Sequence, residues 1–349
     1  MKNVQILNSK GEPVVLNSAE QAIAEINQRK ANEITNALGF EVNITTLTQI
    51  LKSVTEQKFF EIAPADFIPV VVGEGAWSSQ ITKYRDYSVG DKFNTGILNT
   101  GTDSSRLAEV SAAVDAVNTP VKNWAKQISW SFMDLQIAAR AGNWDIVSSK
   151  ERSRKKNWDL GIQELAFYGL PDDTNVKGLL TLSGVTADTT TITKFIKDMT
   201  ASEFQAFLSK LFQAYRANSA YTARPTHFII PETDYNGLAT SVDETYPLVS
   251  RLQRLTDTLK LLTANPNFKI LPLAYSNKTV NAAVSGLNRN RYVMLNYDED
   301  TIRMDIPVDY TNTLQNTVNG FHFQNVGYGQ FTGVQLYRTL EVIYFDHTV

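Results

Sequence analysis

WSFMDLQIAARAGNWDIVSSKERSRKKNWDLGIQELAFYGLPDDTNVKGLLTLSGV, residues 130–185, joins a long helical pattern to a compact loop punctuated by glycine. Residues 132–168 contain no proline, and Trp144, Val147, Trp158, Ile162, Leu165 and Ala166 recur at mostly helical spacing, so the segment reads as helix. Between its apolar ends lies the run Lys150-Glu-Arg-Ser-Arg-Lys-Lys156, too polar to be buried all round, so the middle is solvated or faces charge. Unbroken, residues 131–168 would reach about 57 Å at ~1.5 Å per residue, longer than one compact core, and would cross a flat or elongated body. Gly142-Asn143 is the one place for a kink or break, because glycine costs about 1 kcal/mol against alanine inside a helix. The sequence leaves both forms open.

The helical pattern ends in Phe167-Tyr168-Gly169. A polar loop follows, Leu-Pro-Asp-Asp-Thr-Asn-Val-Lys at 170–177, then Gly178-Leu179-Leu180 and Gly184-Val185. A long helix closing on FYG, a short polar loop and a KGLL…GV ending resemble the major capsid proteins of tailed bacteriophages, the Hong Kong 97-type fold that encapsulin shells share. The order of elements on both sides fits the same resemblance, over residues 70–348. It implies an α+β chain with an N-terminal arm (1–69), an extended β-ribbon loop and its base (70–128), a peripheral domain with the spine helix (129–185), an axial α/β domain (186–288) and C-terminal strands returning to the peripheral domain (289–349).

Composition sets outer bounds. With 349 residues, 43% apolar and 10% aromatic, the chain can bury a core and predicts two or so sub-domains. Thirty-three basic against 36 acidic residues give a net charge of −3, which does not announce a nucleic-acid binder, though a container for DNA has no need to grip it tightly. The lack of cysteine excludes disulfides, thiol nucleophiles and Cys-ligated zinc. Met1-Lys-Asn-Val-Gln5 starts no signal peptide and no run of 18 apolar residues occurs, so the expectation is a protein made and used in a cytoplasm, without a membrane. The glycosylation patterns Asn43-Ile-Thr45 and Asn277-Lys-Thr279 carry no meaning without secretion.

Residues 1–13 are polar and read as extended or disordered. Asn17 or Ser18 can cap a helix through 37, with Ala22, Ile23, Ile26 and Ile34 on one face and Gly39 as its stop, and residues 46–60 form a second helical candidate. In the resemblance this is the arm that reaches over a neighbouring subunit; two helices packed on their own domain fit equally. From Gly73 and Gly75 to residue 126 long apolar runs are few. Residues 80–87 and 117–128 can form the legs of a long two-stranded ribbon with its tip at 90–105. An isolated ribbon is marginal in water and needs a surface to lie on, unless it is a plain exposed hairpin. The resemblance supplies the adjacent subunit as that surface. Lys83 and Lys92 fall in the ribbon, but no motif marks an asparagine partner or an activating glutamate, so no cross-link is assigned.

Residues 187–193 read as a turn or edge strand. Thr200-Ala-Ser-Glu203 is a capping box, followed by Phe204, Phe207, Leu208, Leu211, Phe212 and Tyr215 at helical spacing. A strand at 226–230, an amphipathic helix carrying Leu248, Leu252, Leu255, Leu259 and Leu262, and a strand at 268–273 complete a small α/β module, which in the resemblance gathers around the centres of capsid pentamers and hexamers. Residues 292–297 and 301–306 read as a hairpin across Asp298-Glu-Asp300. Residues 320–324 and 330–344 alternate apolar and polar, with Gly327, Gly329 and Gly333 as turn or bulge positions.

Chemistry is sparse. His227, His322 and His347 lack metal-ligand spacing, residues 327–333 do not match GxGxxG, and Asp298-Glu-Asp300 lacks the pattern of a calcium loop and reads as a solvated turn. No catalytic, cofactor-binding or metal residue is assigned. The one candidate site is the basic run Lys150, Arg152, Arg154, Lys155 and Lys156. It could meet packaged DNA through non-specific phosphate contacts, form a solvated helix face, or pair across subunits with acidic segments such as Asp172-Asp173. Mixed charge without clustered aromatics argues against single-strand binding.

The reading is a major capsid protein that self-assembles as pentamers and hexamers into an icosahedral virion shell around double-stranded phage DNA, built in the host bacterial cytoplasm. A portal protein is the implied partner. The first sixty-odd residues are too short for a large scaffolding extension, which implies a separate scaffolding protein or none, and a decoration protein is compatible. The alternative is an encapsulin-type nanocompartment around protein cargo; a remote alternative is a soluble α/β enzyme, disfavoured because catalytic residue types are scarce.

Overall fold

The computed structural model describes residues 6–7, 13–14, 62–90, 110–140, 145–243, 246–317 and 319–347, with backbone alone at 6–7, 13–14, 86–90, 110–111 and 139–140. It divides into one unit of Met1–Gln57 and Ile137–Trp144 and a second of Lys58–Gln136 and Asp145–Val349. In the first, β1 (Ile6–Leu7) pairs antiparallel with β2 (Pro13–Val14). The helices expected at 17–37 and 46–60 and the ribbon tip at 91–105, with Lys92, lie outside the described residues.

The second unit begins with β3 (Val70–Val72), β4 (Gln80–Gly90), β5 (Val110–Pro120) and β6 (Lys122–Ser131), and of α1 (Phe132–Arg140), which follows β6, it holds the residues up to Gln136. Next come α2 (Ile146–Tyr168), β7 (Thr186–Asp188), α3 (Ala201–Asn218), β8 (His227–Pro231), α4 (Glu232–Thr240), β9 (Val242–Asp243), β10 (Tyr246–Ser250) and α5 (Arg251–Thr263). The chain continues with β11 (Lys269–Leu273), α6 (Lys278–Val284), β12 (Asn290–Leu295), β13 (Ile302–Ile306), β14 (Val308–Asn312), β15 (Asn316–Thr317), β16 (His322–Phe331), β17 (Val334–Leu336) and β18 (Val342–His347).

The 38-residue helix allowed by the sequence is not formed as one rod. Gly142 and Asn143 are outside the described residues, but Asp145 starts a fresh helix: its backbone is extended and its carboxylate accepts from the amides of Val147 and Ser148. At the other end Gly169 (φ 79°, ψ −163°) stops α2, in a backbone region open only to glycine. The chain then folds back on the helix end, with Leu179 N–H donating to Ala166 O and Leu180 N–H to Phe167 O, both 2.8 Å. Those bonds seat Leu179 and Leu180, fully buried, under Phe167. The glycine pattern of the loop therefore answers to close backbone packing.

A five-stranded sheet, β11-β8-β12-β18-β7, organises the remainder. β12 is antiparallel to both its neighbours, while β11 runs parallel to β8 and β7 parallel to β18. Side chains alternate between two cores. Ile229, Val293, Leu295, Val342 and Tyr344 join the core of α2, with Trp158, Ile162 and Leu165. Phe228, Ile230, Tyr292, Met294, Ile343 and Phe345 join the core under α3 and α5. Burial on both faces explains why these strands read as continuous apolar runs. The capping box at Thr200 and Glu203 forms as its spacing predicts, and starts α3.

Four local expectations are corrected. Residues 292–306 do not form a hairpin, because β12 enters the five-stranded sheet while β13 pairs with β17 and, in parallel, with β3. The last sixty residues thus divide between sheets, with β12 and β18 beside β8. The ribbon's second leg is β5, in an eleven-pair register with β4; past Pro120 the chain becomes β6, which pairs instead with β16. Leu248 lies in β10, exposed, because Ser250 caps α5 and helix begins only at Arg251. Gly327 and Gly329 sit mid-strand in unshifted register with β6, so neither is a turn, and a register shift against the other neighbour, β14, falls across from Gly329. A Cβ there would come within 2.6 Å of Arg154 Nε and 2.5 Å of the Trp158 ring, so these glycines admit large side chains from α2.

His227 stacks on Tyr297 and is buried. Burial, with Lys269 nearby, holds its imidazole at about 4 against an ordinary 6.5. Burial likewise lowers His347, with Lys278 adding to it. The folded chain excludes a proton that the unfolded chain binds below about pH 6.5, so stability is full above that pH and declines as pH falls toward 4. Urea unfolding as a function of pH should show this slope, and His227→Gln should recover about 1–2 kcal/mol near its lower end.

Candidate functional site

The basic run occupies the first half of α2, and the structure splits its members by face. Arg154 is buried with Trp158, Ile162 and Leu165 on the side toward β6 and β16. Its guanidinium donates to Tyr310 OH (2.8 Å), Asn325 Oδ1 (2.9 Å), Asn325 O (3.0 Å), Asn312 Oδ1 (3.0 Å) and Lys126 O (3.2 Å). Five acceptors from three strands converge on one planar fork, so Arg154 fastens the helix to the sheet and is spent within the subunit. Trp158, one turn on, packs against Trp124, Tyr310 and Phe331.

Lys150 is half-buried and donates to Ser129 O at 2.8 Å. Arg152 and Lys155 are exposed and Lys156 half-buried. Burial raises the Asp159 carboxyl above its usual range, against the opposing pull of Lys155 and Lys156. The acidic loop proposed as an ion-pair partner is partly engaged already: Asp173 takes Lys122 Nζ at 2.6 Å within the same chain, which holds its carboxyl below the usual range. Asp172 is on that loop too, without bearing on this pair.

The second part of the site is the root of the ribbon. Alternation along β4 sends Lys83 and Arg85 to one face and Tyr84 to the other. Lys83 Nζ meets Asp300 Oδ1 at 2.7 Å and Glu299 O at 3.1 Å, and stands 4.3 Å from the Tyr337 ring centre. Arg85 Nη1 donates to Tyr337 O at 3.0 Å, and Arg85 Nη2 meets Asp115 Oδ2 of β5 at 2.6 Å. The acidic turn is exposed, as expected of a solvated turn, and also serves as the seat of the ribbon, where Lys83 holds the Asp300 carboxyl below its usual range. On the outer face Tyr84 and Val114 are 72% and 66% exposed. Sequence reading missed Tyr337 and Asp300 as seat residues; the available signal was the cation–aromatic–cation alternation at 83–85.

Among the described residues no group of three or more His, Asp or Glu could hold a metal, and no helix is long and apolar enough to cross a membrane. The described residues thus form a two-cored α+β body with a two-stranded ribbon and a polar helix face. The chain belongs to the major capsid protein family, whose model matches residues 96–347. Solved structures agree in fold. The capsid of Myoviridae phage XM1 superposes with a TM-score of 0.70 at 16% identity, covering 88% of this chain and 99% of that one. The capsid of a native GTA particle gives 0.57 at 11% identity, with 90% and 100% covered. Microbacterium phage Oxtober96 gives 0.54 at 8%, with 86% and 95% covered. No curated protein matches. The chain is therefore a self-associating structural protein of a phage-type capsid shell, and its place is the virion capsid.

Proposed function

We propose that this major capsid protein closes as pentamers and hexamers into an icosahedral shell around double-stranded phage DNA, and that it assembles in the cytoplasm of a bacterial host. The observation that carries the reading is the ribbon: eleven residue pairs in two strands, with apolar Tyr84 and Val114 exposed, are too little to be stable without a further surface. A neighbouring copy, repeated by symmetry, supplies it. A portal protein, and a separate scaffolding or decoration protein, are the further partners in this reading. Lys150, Arg152, Lys155 and Lys156 are proposed for charge contact with packaged DNA or an adjoining subunit, with Arg154 withdrawn from that set by its burial.

Size-exclusion chromatography with light scattering, followed by negative-stain electron microscopy of large species, tests the proposal. Closed shells, or rings of five and six, are expected. A chain that stays monomeric at high concentration with residues 76–126 resistant to protease would sink it.

A further inference from the structure

The two faces of the ribbon differ in chemistry, and the root shows which one is already used. Lys83 and Arg85 reach inward to Asp300 and Tyr337. Those two seat residues are fixed to one another, because Tyr337 N–H donates to Thr301 O at 2.9 Å and Thr301 Oγ1 in turn donates to Glu341. Tyr337 is buried and its hydroxyl bonds Gln335, which donates to the buried Asp305. A ribbon held on such a seat has a direction set by the body of the subunit.

The chain entering the ribbon turns sharply and is tied to the body, where Glu74 meets Arg303 at 2.7 Å and Trp77 N–H donates to Gln330 Oε1 at 2.8 Å. Gly73 (φ 93°), Gly75 (φ 74°) and Trp77 (φ 64°) are all left-handed, and Trp77 pays about 1–2 kcal/mol for that conformation while remaining 70% exposed. The approach to β4 is a run of anchored turns, and beyond it Lys83 and Arg85 add the contacts that bear on the direction of the ribbon.

We propose that Lys83 and Arg85 form a clamp, closed on Asp300 and Tyr337 of the same chain, which aims the ribbon and presents its Tyr84–Val114 face to a second copy of the chain. The occupant is a second copy because the family self-associates, and because the apolar pair lies on the face opposite the clamp. The proposal rests on the shell reading for its partner, though the clamp itself belongs to the isolated subunit. Lys83 and Arg85 are positioning residues, acting on assembly through the ribbon they hold.

The test uses the full chain as dispersed subunits and then under assembly conditions. Hydrogen exchange at residues 80–85 should quicken about tenfold in Lys83→Met and in Asp300→Asn, while thermal unfolding of the body stays near that of the wild type. Assembly yield should fall in both, and the swap Lys83→Asp with Asp300→Lys should restore exchange protection and yield together. Tyr84→Ser should lower yield without changing exchange in the subunit. Unchanged exchange in the single variants, or fast exchange with undiminished yield, overturns the clamp as a positioning device. Undiminished yield in Tyr84→Ser overturns the assigned face. If the wild-type chain never assembles, the shell reading fails, while the exchange measurement still decides whether the clamp exists.

Discussion

Gly169→Ala and Gly178→Ala are each expected to lower unfolding stability by about 3–5 kcal/mol, enough to leave a typical domain of ~5–15 kcal/mol largely unfolded under mild stress. At Gly169 the methyl would sit 2.2 Å from Val176 O, and the backbone occupies a region that other residues reach only at a cost of about 1–3 kcal/mol. At Gly178 it would sit 2.3 Å from both Phe167 C and Tyr168 N. In neither place can a flexible side chain swing aside, since the obstacles are main chain. Relief would pull the loop off the end of α2 and unseat Leu179 and Leu180. Gly161 is the internal control. It is exposed on the same helix, and an added methyl would have nothing within 4 Å, so Gly161→Ala should stabilise by about 0.5–1 kcal/mol. Urea midpoints of the three variants decide the matter; equal, small shifts would contradict the close-packing account.

Arg154→Met carries the other large effect. It strips the donors from Tyr310 OH, Asn312 Oδ1, Lys126 O and both oxygens of Asn325, of which the Asn325 pair is buried away from water while Asn312 and Lys126 belong to exposed residues. Each stranded buried acceptor costs about 1–3 kcal/mol, so a loss on the order of 3–5 kcal/mol is expected after relaxation. Arg154→Lys should rescue little, because one ammonium cannot span acceptors arranged around a planar fork. Lys155→Met, one residue along, should change stability by no more than about 0.5 kcal/mol. Thermal unfolding of the three variants measures the contrast. Comparable losses at 154 and 155 would return Arg154 to the solvated face.

That pair of neighbours shows what the sequence could and could not say. The spacing Arg154, Trp158, Ile162, Leu165 is legible as a helix face, but a cation inside a basic run reads as polar until the facing glycines at 327 and 329 are seen to make room. Their spacing of two marks one side of a strand, yet which helix lies over it is a matter of tertiary packing. Local chemistry was legible where local bonds decide the outcome, at the capping box of Thr200 and at Gly169. It failed at 292–306, where two apolar strands flank a short turn and satisfy every rule for a hairpin. Pairing there is settled by remote strands, β8 and β18 on one side and β3 and β17 on the other. The clue was that residues 292–295 are apolar without alternation, as suits a strand buried on both faces. At the ribbon, Pro120 marked the change of partner, since it has no amide to continue a ladder.

The placement of β18 also governs when the molecule can come into being. Residues 342–347 lie between β12 and β7, and β7 has no other strand beside it. A ribosome that has made everything up to residue 341 has therefore made a sheet with a gap, both cores open and apolar surface still wet. Val342 and Tyr344 of this last strand fill one core and Ile343 and Phe345 the other, so its six residues close both at once.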